Sequence, residues 1–384
     1  MKTNPLMLFA ACGVRQLYLP AKMRIRQWGA LPAPRGPTVL VTNHQHVDEG
    51  EIVYSRTYLK HPHVPLIAVN SRRTFETGFF AARMPWTAPL TRRINPTGLW
   101  LRFGLLPIEN HLHSRALISL AEEIRTAHGD LPLETILPDD VLANLDLSGR
   151  RLADLWTPAY FARAQATVKL ANLKQPYRRE ALENFRATMT ADIATVVERV
   201  REGATFYVTP EGDFSRDGRM RPMRNGLTEA VLPVAEPWLC AIAYDPFRGR
   251  RLSMLYRIVP PADRDDLGTS LAAARAVTTS ALVATFLCGV DAPFEASDAR
   301  TSVREQLAAL PPIVFADPEL RSRPDAIVDE ALTVLIRMGI LAPAGKRYRL
   351  TGAHADARFP HVADMVTFQR NMLEETLAAA GRLA

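Results

Sequence analysis

Between Thr42 and Glu51 the chain reads TNHQHVDEGE, which sets two imidazoles and three carboxylates within ten residues. Three arrangements use such a set. His44, His46 and Asp48, at alternating positions, can ligate a divalent metal that activates water, with His111, His113 and His128 as further ligands. Alternatively, His44 at a strand end can act as a general base on a hydroxyl, held in the right tautomer by a carboxylate four or five residues on. The third arrangement is structural: Asn43 and Asp48 cap the following helix, and the histidines are polar turn residues.

The elements around this stretch have to hold it in place. GPTVLVTNH is a continuous apolar run rich in β-branched residues, so a buried strand is expected to end at Asn43 and His44. GEIVYSRTYL then reads as helix. VPLIAVNS, GLLPIEN, ATFYVTPEG, PWLCAIAYDPF and RRLSMLYRIVPP read as further strands, while SRALISLAEEIRTAH and NGLTEAVLPVAE read as helices. Strands alternating with helices predict an α/β fold, a mostly parallel sheet flanked by helices.

A second block of chemistry follows the ATFYV strand: TPEGDFSRDGRMRPMRNG, Thr209 to Gly226. Together with NHQHVD it resembles the glycerolipid acyltransferases, the PlsC-like or lysophosphatidic acid acyltransferase family. That family carries an N-H-x4-D block and a later P-E-G-T-x-S-R block; Pro210, Glu211, Gly212, Ser215 and Arg216 match the second. The resemblance runs from about Pro37 to Pro261, with an inserted lobe excepted. It implies transfer of a fatty acyl group from acyl-CoA or acyl carrier protein to a hydroxyl of a lipid acceptor, either a lysophospholipid or a glycerol-phosphate-like molecule. His44 is then the general base, Asp48 the carboxylate that holds it, with Glu49 as the alternate, and Glu211, Gly212, Ser215 and Arg216 bind substrate. Neither a metal nor a cofactor beyond the acyl donor is implied. The competing metal-dependent hydrolase would use His44, His46 and Asp48, a spacing similar to the HxHxDH signature of metallo-β-lactamase-like hydrolases.

Three departures from the acyltransferase pattern point to a changed acceptor. Asp48 falls one residue early, so Glu49 occupies the fifth position after His44. Asn110 follows Glu109 where the family carries an arginine for the acceptor phosphate, a role that Arg102, Arg115 or the inserted lobe could take over. PEGD-F replaces PEGT-R, and the proline expected before the core of the PWLCAIAYDPF strand is absent around Leu239.

With 384 residues, 47% of them hydrophobic, the chain can bury a large core. The net charge of +7 suits anionic partners: an acyl-CoA, a carrier protein or an anionic membrane surface. Three scattered cysteines, Cys12, Cys240 and Cys288, form neither a disulfide framework nor a zinc-thiolate pattern, which fits a reducing cytosol. The expected organisation is an N-terminal interfacial or packed helix over 1–34, with Arg15, Lys22, Arg24 and Arg26 as its basic flank, and a core over 35–128 and 186–290. A helical lobe is inserted at 129–185, and a helical accessory domain closes the chain over 296–384. In that last region DEALTVLIRMGILAPAGKRYRLTG has the layout of a winged helix, but the helix before the wing is apolar and acidic, so no nucleic-acid partner is expected. The expected location is cytoplasmic, peripheral on the inner face of the membrane.

Overall fold

A computed structural model describes residues 5–32, 36–109, 113–223, 225–352 and 354–384. The chain forms two compact units: residues 1–66 with 200–384, and residues 67–199. The interrupting unit therefore begins well before Gly129, and residues 296–384 belong to the same unit as the TNHQHVDEGE stretch.

Eleven strands occur among the described residues: β1 (Met23–Gly29), β2 (Thr38–Thr42), β3 (Leu66–Ser71), β4 (Leu105–Ile108), β5 (Ser114–Ala116), β6 (Thr167–Lys169), β7 (Thr205–Val208), β8 (Glu236–Asp245), β9 (Leu252–Val259), β10 (Leu341–Ala344) and β11 (Arg347–Leu350). The longer helices are α1 (Pro5–Gly13), α2 (Glu49–Lys60), α3 (Leu117–His128), α4 (Tyr177–Arg201), α5 (Leu267–Ala274), α6 (Thr279–Cys288), α7 (Ala296–Ala308), α8 (Pro324–Arg337) and α9 (Met365–Leu383).

In the first unit the strand order is β1-β9-β8-β2-β7. β2 runs parallel to both β7 and β8, and β1 parallel to β9; within this sheet, among the described residues, only the β8–β9 pairing is antiparallel, and β10 and β11 form a separate antiparallel pair. Every residue of β2 is buried. That is why TVLVT shows no alternation: a strand covered on both faces needs apolar or β-branched residues at every position. α9 packs on α5 and α6, α7 on α8, and α1 on α2.

The second unit contains the parallel pair β3–β4 and the antiparallel ribbon β5–β6. Its own core gathers Leu117, Leu120, Leu133, Leu155, Phe161 and Phe185. The α/β class is as the sequence predicts, and among the described residues no helix is long and apolar enough to cross a membrane.

Three elements differ from expectation. Met23–Gly29 is an added strand, so Arg24 and Arg26 are not the basic flank of a helix; Arg26 instead reaches Asp317 and Glu319 at 2.7 Å each. LAAARAVTTSALVATFL, which reads in the sequence as one small-residue helix, is two helices: Arg275–Thr278 leaves helical geometry because Val277 bridges to Ala316 and the Thr278 side chain caps the second helix through the Ala281 N–H. Ser114–Ala116 is extended and pairs with β6 where a helix start was expected.

Candidate functional site

The site begins where β2 ends. After the Thr42–Cys240 rung the side chain of Asn43 continues the ladder: its Nδ2 donates to the Ile242 carbonyl at 2.9 Å, and its Oδ1 accepts the Ile242 N–H at 2.7 Å. A buried amide thus replaces a backbone pair, and the main chain is free to turn away and carry His44 off the sheet.

His44 Nδ1 lies 2.8 Å from Glu49 Oε2. Glu49 is the first residue of α2 and is fully buried. Its carboxylate also accepts the backbone N–H of Gln45 and of His46, each at 3.0 Å. Three donors converge on one anion at a helix N-terminus, where the helix dipole adds to the stabilisation. Burial pushes the Glu49 pKa up, against the lowering effect of His44 and of these amides. Burial pulls the His44 pKa down, but the Glu49 hydrogen bond and charge, reinforced by Glu211 and Asp213, raise it overall. With its Nδ1 proton directed at a carboxylate, His44 keeps the Nε2 lone pair for a proton acceptor role.

Asp48 does not meet His44, which corrects the preference for it. It accepts the Tyr18 hydroxyl at 2.7 Å and lies 3.7 Å from Lys22 Nζ. Asp48 therefore ties the N-terminal segment to the turn. Helical phase decides between the two carboxylates: α2 starts at Glu49, so that side chain points back under the turn.

His46 is held on both sides. Its Nδ1 accepts the Asp48 N–H at 3.2 Å and its Nε2 donates to the Arg358 carbonyl at 3.1 Å. Burial lowers its pKa, consistent with a neutral ring. Neither nitrogen retains a lone pair for a metal, and among the described residues no group of three or more His, Cys, Asp or Glu side chains is placed to hold one. Of the further ligands considered, His113 rests against Phe185 and His128 pairs with Glu180 at 2.6 Å. His111 and Asn110 lie outside the described residues.

The second block closes over the first. Glu211 is buried; its two oxygens accept the His44 N–H at 2.8 Å and the Arg221 N–H at 2.7 Å. Burial raises its pKa to about 7, the two amides opposing the shift. Gly212 turns the chain at φ +64° with its N–H on the Thr209 carbonyl. Ser215 donates its backbone N–H to the His44 carbonyl at 3.1 Å, while its hydroxyl bonds the Arg219 carbonyl and the Gly218 N–H. Glu211 and Ser215 thus clamp the backbone of His44 from either side. Phe214, between them, lies with its ring 4.3 Å from the His44 ring. Arg216 is exposed and forms no ion pair among the described residues.

The C-terminal residues build one wall of this site, which sequence reasoning missed. His361 stacks on Phe214 at 5.0 Å, and Phe359 meets the His46 ring at 5.2 Å. Gln45 reaches Met372, and Asn371 donates to the Asp217 carbonyl. Fully buried Arg275 bonds Glu375, the Met372 carbonyl and Thr376. Nothing local in FPHVADMVTFQRNM marks these residues as neighbours of His44.

In the other unit, Glu109 sits between Arg72 and Arg115, and Arg72 also reaches Asp192. Arg115 further pairs with Glu123. Arg73 pairs with Glu76, so all three guanidinium groups that line this cavity of about 280 Å³ are committed to carboxylates.

No protein-family model matches the sequence, and no curated protein matches it.

Proposed function

We propose that this protein is an O-acyltransferase that moves a fatty acyl group from a thioester, acyl-CoA or acyl carrier protein, to a hydroxyl of a lipid acceptor. The observation that carries the reading is the His44–Glu49 pair at 2.8 Å, at the end of a buried strand and gripped by the PEG loop. An alcohol is a poor nucleophile at neutral pH. His44 Nε2 removes the hydroxyl proton as the oxygen attacks the thioester carbonyl, and Glu49 stabilises the imidazolium that forms. The C–O bond forms, the C–S bond breaks, and the imidazolium returns its proton to the departing thiolate. No acyl-enzyme is required.

Glu211, Gly212 and Ser215 act through the loop they shape, whereas Arg216 is free to meet an anionic group on donor or acceptor. Acceptance of a lipid fits the apolar side chains that the N-terminal segment exposes, among them Phe9 at 80% and Leu17 at 77%. The same features and the positive charge support peripheral attachment to the inner face of the membrane.

Incubation with long-chain acyl-CoA, or acyl carrier protein, and a bacterial lipid extract tests the reading by product analysis. An acyl ester on a lipid hydroxyl, formed only when both substrates are present, supports it. Release of free fatty acid with no acylated lipid rejects it.

A further inference from the structure

Between Glu76 and Glu109 the sequence contains no acidic residue, yet it carries Arg83, Arg92, Arg93 and Arg102. The same stretch, all within the second unit, exposes an unusual set of large apolar side chains. Trp86 is 82% and Leu90 83% exposed, and Met84, Ile94, Leu99 and Leu101 are exposed as well. Trp100 shows what packing looks like here: its indole N–H donates to the Thr74 carbonyl at 2.9 Å and its ring lies against Phe80 and Phe103. Trp86 has no such neighbour among the described residues. Arg83, Arg92 and Arg93 form no ion pair among the described residues, in contrast to Arg72, Arg73 and Arg115 of the same unit.

We infer that the 83–102 face is a docking surface for an anionic lipid bilayer, with Trp86 and Leu90 entering the interface and the arginines meeting the headgroups. Charge complementarity selects this occupant. A second copy of the chain would bring one acid-free cationic face against another, and like charges juxtaposed at an interface oppose association. A bilayer rich in phosphatidylglycerol supplies the anions and an apolar layer of matching depth. The short helices Phe79–Arg83, Ala88–Thr91 and Thr97–Arg102 keep the backbone hydrogen bonds of such a face satisfied within the segment. This surface is independent of the proposed acyl transfer and is distinct from the exposed N-terminal residues.

Vesicle sedimentation of the full chain tests it, using phosphatidylcholine vesicles with and without phosphatidylglycerol. Wild-type protein is expected to sediment with the anionic vesicles and much less with the neutral ones. The double variant Trp86→Ala/Leu90→Ala should partition at least about tenfold more weakly, and Arg92→Gln/Arg93→Gln roughly fivefold or more. Trp86→Phe should still bind but lose fluorescence quenching by brominated lipid, a readout that misfolding alone does not produce. Wild-type partitioning by both double variants would overturn the inference, because binding would then reside elsewhere. Absence of vesicle binding, or a dimer in solution that Trp86→Ala/Leu90→Ala dissociates, would overturn it equally.

Discussion

Glu49, and not Asp48, holds the His44 ring: Nδ1 to Oε2 is 2.8 Å, while the Asp48 carboxylate is engaged by Tyr18 and Lys22. Glu49→Gln retains the volume but removes the anion that fixes the tautomer. Acyl transfer is expected to fall by about 10²–10⁴-fold in kcat. Asp48→Asn, which perturbs a contact outside the pair, is expected to stay within about tenfold of wild type in the same assay. Equal losses in the two variants would remove the distinction.

The pH profile reports the same pair. The proposed base works as neutral imidazole, and its pKa is raised above the ordinary 6.5. kcat/KM is therefore expected to rise with pH through an inflection above 6.5, and Glu49→Gln should move that inflection downward. A raised histidine pKa also means that the stability this pair contributes is fully present below 6.5 and lost as pH rises through the folded value. An inflection unchanged by Glu49→Gln would separate the titrating group from His44.

Asn43 carries a structural load that the motif alone does not reveal. Asn43→Ala would orphan both the N–H and the carbonyl of buried Ile242. A loss of roughly 2–4 kcal/mol is expected, read as a lower denaturant midpoint.

Gly218 joins the second block to the C-terminal helix. Its φ is +90°, and a Cβ there would lie 2.0 Å from the Phe368 carbonyl oxygen. Gly218→Ala is expected to push α9 away from the loop and destabilise the fold by about 1–3 kcal/mol. Loss of amide-exchange protection in both 214–221 and 365–376 would accompany it; a local effect confined to the loop would argue against the coupling.

Much of the first unit is legible in the sequence because its signals are local. TVLVT announces a strand buried on both faces, and the PEG turn announces itself through Gly212 at positive φ. The β1 strand was missed although MRIRQW alternates arginine with apolar residues, the period of a strand, because its cations follow an apolar N-terminal run and together resemble an interfacial helix with a basic flank. The partners that neutralise Arg26, Asp317 and Glu319, stand far downstream. Arg275 was equally opaque: inside an alanine-rich run nothing signals a fully buried guanidinium whose partners, Glu375 and Thr376, come from the last helix. The choice between Asp48 and Glu49 depended on where α2 begins, a boundary of one residue. His361 and Phe359 reach the site only through tertiary packing, for which sequence periodicity carries no signal.

The most direct test of the account is thiol release from a long-chain acyl-CoA in the presence of lipid acceptor, comparing wild type with His44→Ala, each with and without a chelator. With His44 as the general base, release is expected to depend on the acceptor, to fall by at least about 10²-fold in His44→Ala and to be unchanged by the chelator. Release that persists in His44→Ala, or that the chelator abolishes, would contradict His44 as the general base.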